Sequence, residues 1–154
     1  MRLREEISKR LPPVPKSKKE SVAKSMRSNK RSDTGPEILL RKALWKEGLR
    51  GYRKNFKKVP GSPDICFVSK KLAIFINGCF WHRCPKCDLP IPKSNTEFWT
   101  AKFERNIERD KKKIKRLKRE GWSTLIVWEC EIKKNLGIVL KKMRRRLTEI
   151  IEKG

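Results

Sequence analysis

The sequence predicts a small α/β domain in which a mixed β-sheet is flanked by helices. Short apolar runs typical of buried strands alternate with longer segments of helical periodicity. Their order along the chain is helix, strands, cysteine-rich loop, helix, strand, helix. The chain has 154 residues, of which 36% are hydrophobic, so it is long enough to bury a core as one domain. We expect that domain to span residues 33–154.

The first predicted helix occupies residues 33–47. Thr34 and Glu37 have the spacing of a capping box, Pro36 is tolerated in the first turn, and Gly48 follows the helix as a stop signal. Glu37 therefore already has a structural role, and a catalytic role needs a separate argument. The residues expected on the buried face are Ile38, Leu39, Ala43 and Leu44.

The next segments read as strands joined by turns. Residues 50–56 are predicted to form an edge strand and residues 60–63 a turn. Residues 64–68 and 72–76 are apolar runs separated by three polar residues, which favours an antiparallel hairpin.

The second half of the chain is predicted to hold a loop, two helices and a strand. Prolines keep residues 83–95 irregular. A long helix capped by Asn95 or Thr96 follows over residues 97–120, then a core strand over 123–128 and a last helix over 135–152. The apolar face of the long helix is expected to contain Phe103, Ile107, Ile114 and Leu117, and that of the last helix Leu136, Leu140, Met143, Leu147 and Ile150 or Ile151.

The charge of the chain indicates its class of partner. A net charge of +25 makes a polyanion the expected ligand, although ribosomal proteins and the charged surfaces of thermophile proteins share this composition. Residues 1–32 are basic and proline-containing, and we interpret them either as an arm that lies along phosphates or as a solubilising tail. No apolar run approaches the length of a membrane span, and the N-terminus lacks a signal-peptide core. The five cysteines are then expected in a reducing compartment, where clustered thiols favour metal over disulfides.

Four cysteines are candidates for one metal site. Cys79, Cys84 and Cys87 have the close spacing of zinc ligands, and Cys130 lies at the predicted end of a core strand where neighbouring strands end together. Such a site has no open coordination position, so the zinc would be structural. The alternative is that these are unrelated buried thiols. Cys66 lies within a strand and is interpreted as a core residue.

Asp64 and His82 are the candidate catalytic residues. Asp64 heads a buried strand, where an acid is costly unless it is paired or binds a cation such as Mg²⁺. His82 is the only histidine, and an imidazole can accept a proton from water near neutral pH. We favour His82 as a general base, and the alternative is that it replaces a cysteine as a zinc ligand.

Phe80 and Trp81 are adjacent aromatic residues beside the cysteine loop. In an extended segment both cannot enter the core, so an exposed pair next to a basic surface is a candidate wedge between base pairs. Trp99, at the start of the long helix, is a further candidate. The alternative for all three is ordinary packing over the loop.

These residues resemble a known family. Pro63-Asp64-Ile65, the run from Ala73 to His82 containing Gly-Cys-Phe-Trp-His, and the segments 96–99, 106–110 and 121–130 are similar to the very short patch repair endonucleases. The resemblance covers roughly residues 20–135. It implies the restriction-endonuclease-like fold (the PD-(D/E)xK type), a mixed central sheet flanked by helices with a structural zinc loop. It also implies nicking of DNA on the 5′ side of the thymine in a T·G mismatch, the lesion left when 5-methylcytosine deaminates.

The resemblance also implies a set of roles. Asp64 and the backbone carbonyl of Ile76 would hold catalytic Mg²⁺, His82 would activate water, and Glu37 would be a supporting acid. The intercalating residues would be Phe80, Trp81 and Trp99. The structural Zn²⁺ would be held by Cys79, Cys84, Cys87 and Cys130.

Two positions depart from the family pattern. Asn77 stands where some members have a second histidine, and it can donate a hydrogen bond but cannot exchange a proton. Cys84 stands where a histidine often binds the zinc, a change that preserves tetrahedral coordination.

The sequence therefore predicts an enzyme that acts on double-stranded DNA with a T·G mismatch, as a monomer in the prokaryotic cytoplasm and associated with the nucleoid. Mismatch-repair proteins and a cytosine methyltransferase are candidate partners. The alternatives are a restriction-type nuclease of the same fold with another target, and a non-catalytic, zinc-stapled nucleic-acid-binding protein.

Overall fold

The computed structural model describes residues 12–13 and 31–154, so the proposed N-terminal arm lies almost wholly outside the described residues. The described part contains four strands and four α-helices. They are α1 (Gly35–Lys46), β1 (Arg53–Lys54), β2 (Ile65–Phe67), β3 (Leu72–Asn77), α2 (Thr96–Arg119), β4 (Ser123–Trp128), α3 (Glu129–Lys134) and α4 (Leu136–Lys153). No helix of this part is both long enough and apolar enough to cross a membrane.

The strands form one mixed sheet in the order β1-β2-β3-β4. Strands β1 to β3 pair antiparallel, which confirms the predicted hairpin, and a short 3₁₀ turn (Val68–Lys70) joins β2 to β3. Strands β3 and β4 are parallel, because helix α2 carries the chain back across the sheet between them. Asn77 and Trp128 are the last pair, so both strands end at the same edge.

The core lies on both faces of this sheet. Alternate residues of β2 and β3 point to opposite sides, so Ile65 and Ile74 join one cluster while Cys66 and Phe75 join the other. Residues of α1, α3 and α4 pack on the first face, and Leu117 of α2 packs on the second. The fold is therefore a sheet between two helical layers, as the sequence predicts for the α/β class.

The buried face of α1 differs from the prediction. Ile38 and Leu39 are 39% and 43% exposed, whereas Leu40 and Leu44 are fully buried. The run Ile38-Leu39-Leu40 fits more than one helical register, and the observed register is the one that places Leu40 and Leu44, four residues apart, against the sheet. Glu37 lies one turn before Leu40, so it too is turned inward and is 4% exposed.

Smaller differences concern the ends of elements. The edge strand is only Arg53–Lys54, because Gly51 and Asn55 on either side have positive φ. Helix α3 was not predicted, and it places Cys130 on a helix rather than at the tip of a strand. In α4 the fully buried residues include Val139, which the prediction omits, and Met143.

The remaining predicted apolar residues of α4 pack partly buried against the core. They are Leu136, Leu140, Leu147 and Ile150, whereas Ile151 is 59% exposed.

Candidate active site

One cavity of about 1010 Å³ opens at the edge where β3 and β4 end together. Its walls come from the start of α1, the turn before β2, the end of β3 and the middle of α2. Of the residues singled out in the sequence, it is lined by Glu37, Asp64, Ile76, Asn77, Trp81 and His82. The structure therefore brings the candidate acid and the candidate base to the same cleft.

Asp64 is held at the bottom of this cleft by the backbone of β3. Its Oδ2 accepts a hydrogen bond from the backbone N–H of Ile76 at 2.7 Å. Burial raises the pKa of Asp64 to about 6, and the negative charge of Glu37 adds to the rise. The Ile76 hydrogen bond and the charges of Lys113 and His82 act against it. A carboxylate that is largely withdrawn from solvent and lines an open cleft fits a hard cation such as Mg²⁺, which prefers oxygen ligands.

His82 is paired with Asp110 of α2, a residue for which the sequence predicted no role. His82 Nδ1 lies 2.5 Å from Asp110 Oδ2. Burial raises the pKa of Asp110, but hydrogen bonds from His82 and Lys113 outweigh that effect and bring it to about 2, so the carboxylate stays ionised at neutral pH. An ionised carboxylate accepts a hydrogen bond from the Nδ1–H of a neutral ring and thus leaves Nε2 free to act as a base.

Asp110 could have been found from the sequence only by its spacing. It belongs to the segment 106–110 that carries the family resemblance, and it lies seven residues after Phe103 and seven before Leu117, both buried residues of α2. Residues seven apart share a helix face, so the sequence could predict that Asp110 points toward the interior. Its contact with His82 could not be predicted, because that contact depends on the fold.

Glu37 lies at the edge of the cleft with both carboxylate oxygens engaged. Oε2 accepts a hydrogen bond from the backbone N–H of Asp33 at 2.9 Å, and Oε1 accepts one from the Thr34 hydroxyl at 3.2 Å. Thr34 in turn caps α1 through the backbone N–H of Glu37, which confirms the predicted N-terminus. Glu37 therefore acts on the cleft mainly through its charge.

Asn77 ends β3 inside the cleft and is 6% exposed. It is fixed by the backbone, since the strand pairs it with Trp128 of β4. Its side-chain amide can offer both donors and acceptors to a bound phosphate.

The four predicted zinc ligands meet in space. The sulfurs of Cys79, Cys84, Cys87 and Cys130 all lie within 4.8 Å of one another. The Sγ atoms of Cys84 and Cys130 are 3.8 Å apart. Tetrahedral Zn²⁺ with Zn–S bonds of about 2.3 Å places its sulfurs about 3.8 Å apart, so the geometry fits. Such a four-thiolate group can hold a metal with no open position.

His82 lies outside this sulfur group, because its Nδ1 is paired with Asp110. The loop between the two sites is compact: the backbone N–H of His82 bonds Gly78 O at 3.1 Å, and that of Cys84 bonds Cys79 O at 3.0 Å. A metal on the sulfurs would therefore fix the residues that lead directly into the cleft.

The aromatic residues form a cluster of their own, made of Phe80, Trp81, Phe98, Trp99 and Phe103. The expectation that Phe80 and Trp81 lie in an extended segment is wrong: the chain turns there, and their rings meet edge to face at 5.1 Å. Trp99 is 9% exposed, whereas Phe80 and Trp81 are only half-buried. Lys102 Nζ lies 4.9 Å from the Trp81 ring centroid. Phe80 and Trp81 are therefore partly buried against the rest of the cluster, and not fully exposed as the sequence predicts.

The rim of the cleft is basic. Arg109, Lys112 and Arg116 follow one another along α2 at helical spacing and line the cavity, and Arg31 lines it as well. A row of cationic side chains beside a cleft of this size suits the negatively charged phosphate backbone of a nucleic acid.

Comparison with known proteins identifies DNA endonucleases as relatives of this chain. A family model described as DNA mismatch endonuclease Vsr matches residues 15–88. A type II nicking enzyme, V.NmeAIP of Neisseria meningitidis, is 46% identical over 120 residues, covering 77% of this chain and 83% of that protein. The DNA mismatch endonuclease Vsr of Escherichia coli is 36% identical over 133 residues, covering 86% of this chain and 85% of that protein. The type II nicking enzyme V.NaeI of Lentzea aerocolonigenes is 45% identical over 114 residues, covering 71% of this chain and 68% of that protein.

Proposed function

Because the chain belongs to the Vsr family of DNA mismatch endonucleases, and is a DNA endonuclease, we propose that it nicks duplex DNA on the 5′ side of the thymine in T·G mismatches. The observation that supports this proposal best is the meeting of Asp64 and His82 in one cleft, with Asp110 behind the imidazole. The named relatives are nicking and mismatch enzymes, and the basic cleft suits the same substrate. The specific PD-(D/E)xK architecture is part of the proposal.

In the proposed reaction the protein positions the phosphate, the water and the proton acceptor. Asp64 and the carbonyl of Ile76 would hold Mg²⁺, and that ion would supply positive charge to stabilise the phosphate oxygens in the transition state. His82 accepts a proton from water at Nε2, that water oxygen attacks phosphorus as the bond to the leaving oxygen breaks, and the leaving oxygen takes a proton from solvent. Asp110 keeps the Nδ1 proton in place and stabilises the imidazolium that forms.

Two further residues assist in this proposal. Glu37 adds negative charge at the edge of the cleft, where it favours retention of a cation by Asp64. Asn77 donates a hydrogen bond from its side-chain amide to a phosphate oxygen, without exchanging a proton. Both lie on backbone that regular structure fixes, the cap of α1 and the end of β3.

The aromatic cluster supplies the mismatch preference. In this proposal Phe80 and Trp81 stack between base pairs, and Trp99, whose ring contacts both of theirs, is the third member of the wedge and supports them. Prising apart a pair is easier where the pair is weak, so a wobble T·G pair opens at lower cost than a Watson–Crick pair. Structural Zn²⁺ on Cys79, Cys84, Cys87 and Cys130 would hold the loop from which the wedge projects.

Affinity would come largely from phosphate contacts by residues 1–32 and by the basic helices. We further propose a monomer working in the prokaryotic cytoplasm near the nucleoid, with mismatch-repair proteins and a cytosine methyltransferase as its functional partners.

The decisive experiment is a nicking assay on two duplexes that are identical except at one base pair, which is T·G in one and T·A in the other. Zinc-loaded protein with Mg²⁺ should nick a T·G duplex at the thymine and leave the T·A duplex intact. Equal nicking of both would favour a restriction-type nuclease. This alternative is considered because two of the relatives are named type II nicking enzymes. Absence of any cleavage by the parent protein would leave only a basic, zinc-stapled binding protein.

A further inference from the structure

Lys113 lines the cleft with a side chain that is largely withdrawn from solvent. It is 15% exposed, whereas its neighbours on α2, Lys112 and Arg116, are 55% and 61% exposed. An ammonium group is strongly hydrated, so placing it in such a position is costly unless the protein compensates for the lost water. The structure around Lys113 shows that compensation.

Three contacts fix the side chain. Its Nζ lies 3.0 Å from Asp110 Oδ1 and 4.1 Å from the centroid of the Phe75 ring. The aliphatic stem crosses Gly61, where an added Cβ would lie 2.1 Å from the Lys113 Cδ. Gly61 has a φ of +79°, so glycine suits this turn both for its backbone and for the space it leaves. The turn before Asp64 is therefore shaped around this lysine.

Lys113 shares its carboxylate with the histidine of the site. Asp110 Oδ1 contacts Lys113 and Asp110 Oδ2 contacts His82, so a single carboxylate sets the positions of both groups. Phe75 and Lys113 also line the same cavity as Asp64. An ammonium has three donors, and Asp110 uses one of them. A donor therefore remains for a negatively charged ligand that enters between Asp64 and His82.

We propose that Lys113 is a further catalytic residue, which donates a hydrogen bond from Nζ to a non-bridging oxygen of the phosphate being cleaved. The inference rests on the proposed function, since it needs a phosphodiester between Asp64 and His82. In this role the lysine adds a fixed positive charge from α2 to the cavity that Asp64 lines, and it stabilises the negative charge that builds on the phosphate in the transition state. Its anchoring by Asp110 and Phe75 means that little reorganisation is needed when the substrate binds.

The test compares Lys113→Met with Lys115→Met in the full-length, zinc-loaded protein. Lys115 is exposed on the same helix and does not line the cavity, so its variant measures the effect of losing one positive charge from α2. Single-turnover nicking by K113M should fall about 10²-fold below that of K115M. DNA affinity, measured with Ca²⁺ in place of Mg²⁺, should be similar in the two variants.

A substrate change separates a catalytic contact from a structural one. Sulfur in place of the non-bridging oxygen that Lys113 contacts weakens the hydrogen bond, so one phosphorothioate diastereomer should slow the parent protein, and Mn²⁺ should not restore the rate. K113M, or K113Q if the methionine variant folds poorly, should have lost that sensitivity.

The outcomes distinguish the inference from the proposed function. If the parent protein nicks T·G DNA and K113M nicks as fast as K115M, the inference is wrong and the function stands. The inference is equally overturned if the parent shows no such diastereomer preference, or if K113M merely lowers the melting temperature while its folded fraction keeps the parent rate. A parent protein that nicks no duplex overturns both.

Discussion

Replacing Asp64 by asparagine should stabilise the metal-free protein while abolishing its activity. The pKa of Asp64 rises from 3.8 to about 6 on folding, chiefly because the carboxyl is buried. A carboxyl that is harder to ionise in the folded chain than in the unfolded chain weakens folding once it is charged. The penalty is therefore absent below about pH 4 and complete above about pH 6. The asparagine side chain would carry no charge and would keep an oxygen that can accept the hydrogen bond from Ile76.

The size of the effect follows from the shift. Two pKa units correspond to about 3 kcal/mol as an upper limit. Asp64 borders an open cleft, so solvent reduces this to about 1–2 kcal/mol. For a chain of 154 residues each kcal/mol raises the melting temperature by about 2–4 °C. Asp64→Asn should therefore melt about 2–8 °C above the parent at pH 8.

The assay is thermal and urea unfolding of both proteins in Mg²⁺-free buffer without a chelator, because a chelator would also remove zinc. The advantage of the variant should fall by about half between pH 8 and pH 5, as the parent carboxyl becomes protonated. Asp88→Asn, an exposed carboxyl in the cysteine loop, is the matched control and should change stability by less than about 0.5 kcal/mol. Added Mg²⁺ should raise the melting temperature of the parent but not of the variant. A variant no more stable than the parent at pH 8 would refute the reasoning.

Four other predictions follow from the same contacts. His82→Ala should lower single-turnover nicking by about 10²–10⁴-fold with unchanged zinc content, and loss of zinc would reassign it as a ligand. Asp110→Asn keeps the shape but removes the charge behind His82 and beside Lys113, so the rate should fall by about 10²-fold. The melting temperature should fall as well, because a carboxylate whose pKa lies at about 2 stabilises the folded chain at neutral pH. Cys87→Ala, or a zinc chelator, should lower both the melting temperature and the activity, and metal analysis should show less bound zinc. Leu40→Ala should cost about 2–5 kcal/mol in urea unfolding, whereas Leu39→Ala should cost about 0.5 kcal/mol or less; equal costs would contradict the observed register of α1.

Local patterns in the sequence predicted those elements whose signals are self-contained. The β2–β3 hairpin is set by two apolar runs and a short polar turn, and the limits of α2 by its periodicity and by Gly121. The four cysteines could be grouped because three are close in sequence and the fourth follows the strand that pairs with β3.

The features that were missed depend on tertiary contacts. Three consecutive apolar residues left the register of α1 open, and only the sheet selects Leu40 over Leu39. The pairing of His82 with Asp110 joins a loop to the middle of a helix 28 residues away, and no short-range pattern encodes it. Phe80 and Trp81 both pack on Trp99 because the chain turns after Gly78, which an assumption of extended backbone could not show.

The position of the four sulfurs has a consequence for how the enzyme assembles. Cys79 follows β3 and Cys130 follows β4, so a metal bound by both cross-links the two ends of the segment 79–130, which contains all of α2. Cross-linking a long segment removes entropy from the unfolded chain, much as a disulfide does. Asp110 and Lys113 both lie inside that closed segment. Metal loading would thus couple thermodynamically to the alignment of both residues. Under the proposed function, a chain without its zinc would lose nicking capacity even where Mg²⁺ remained plentiful.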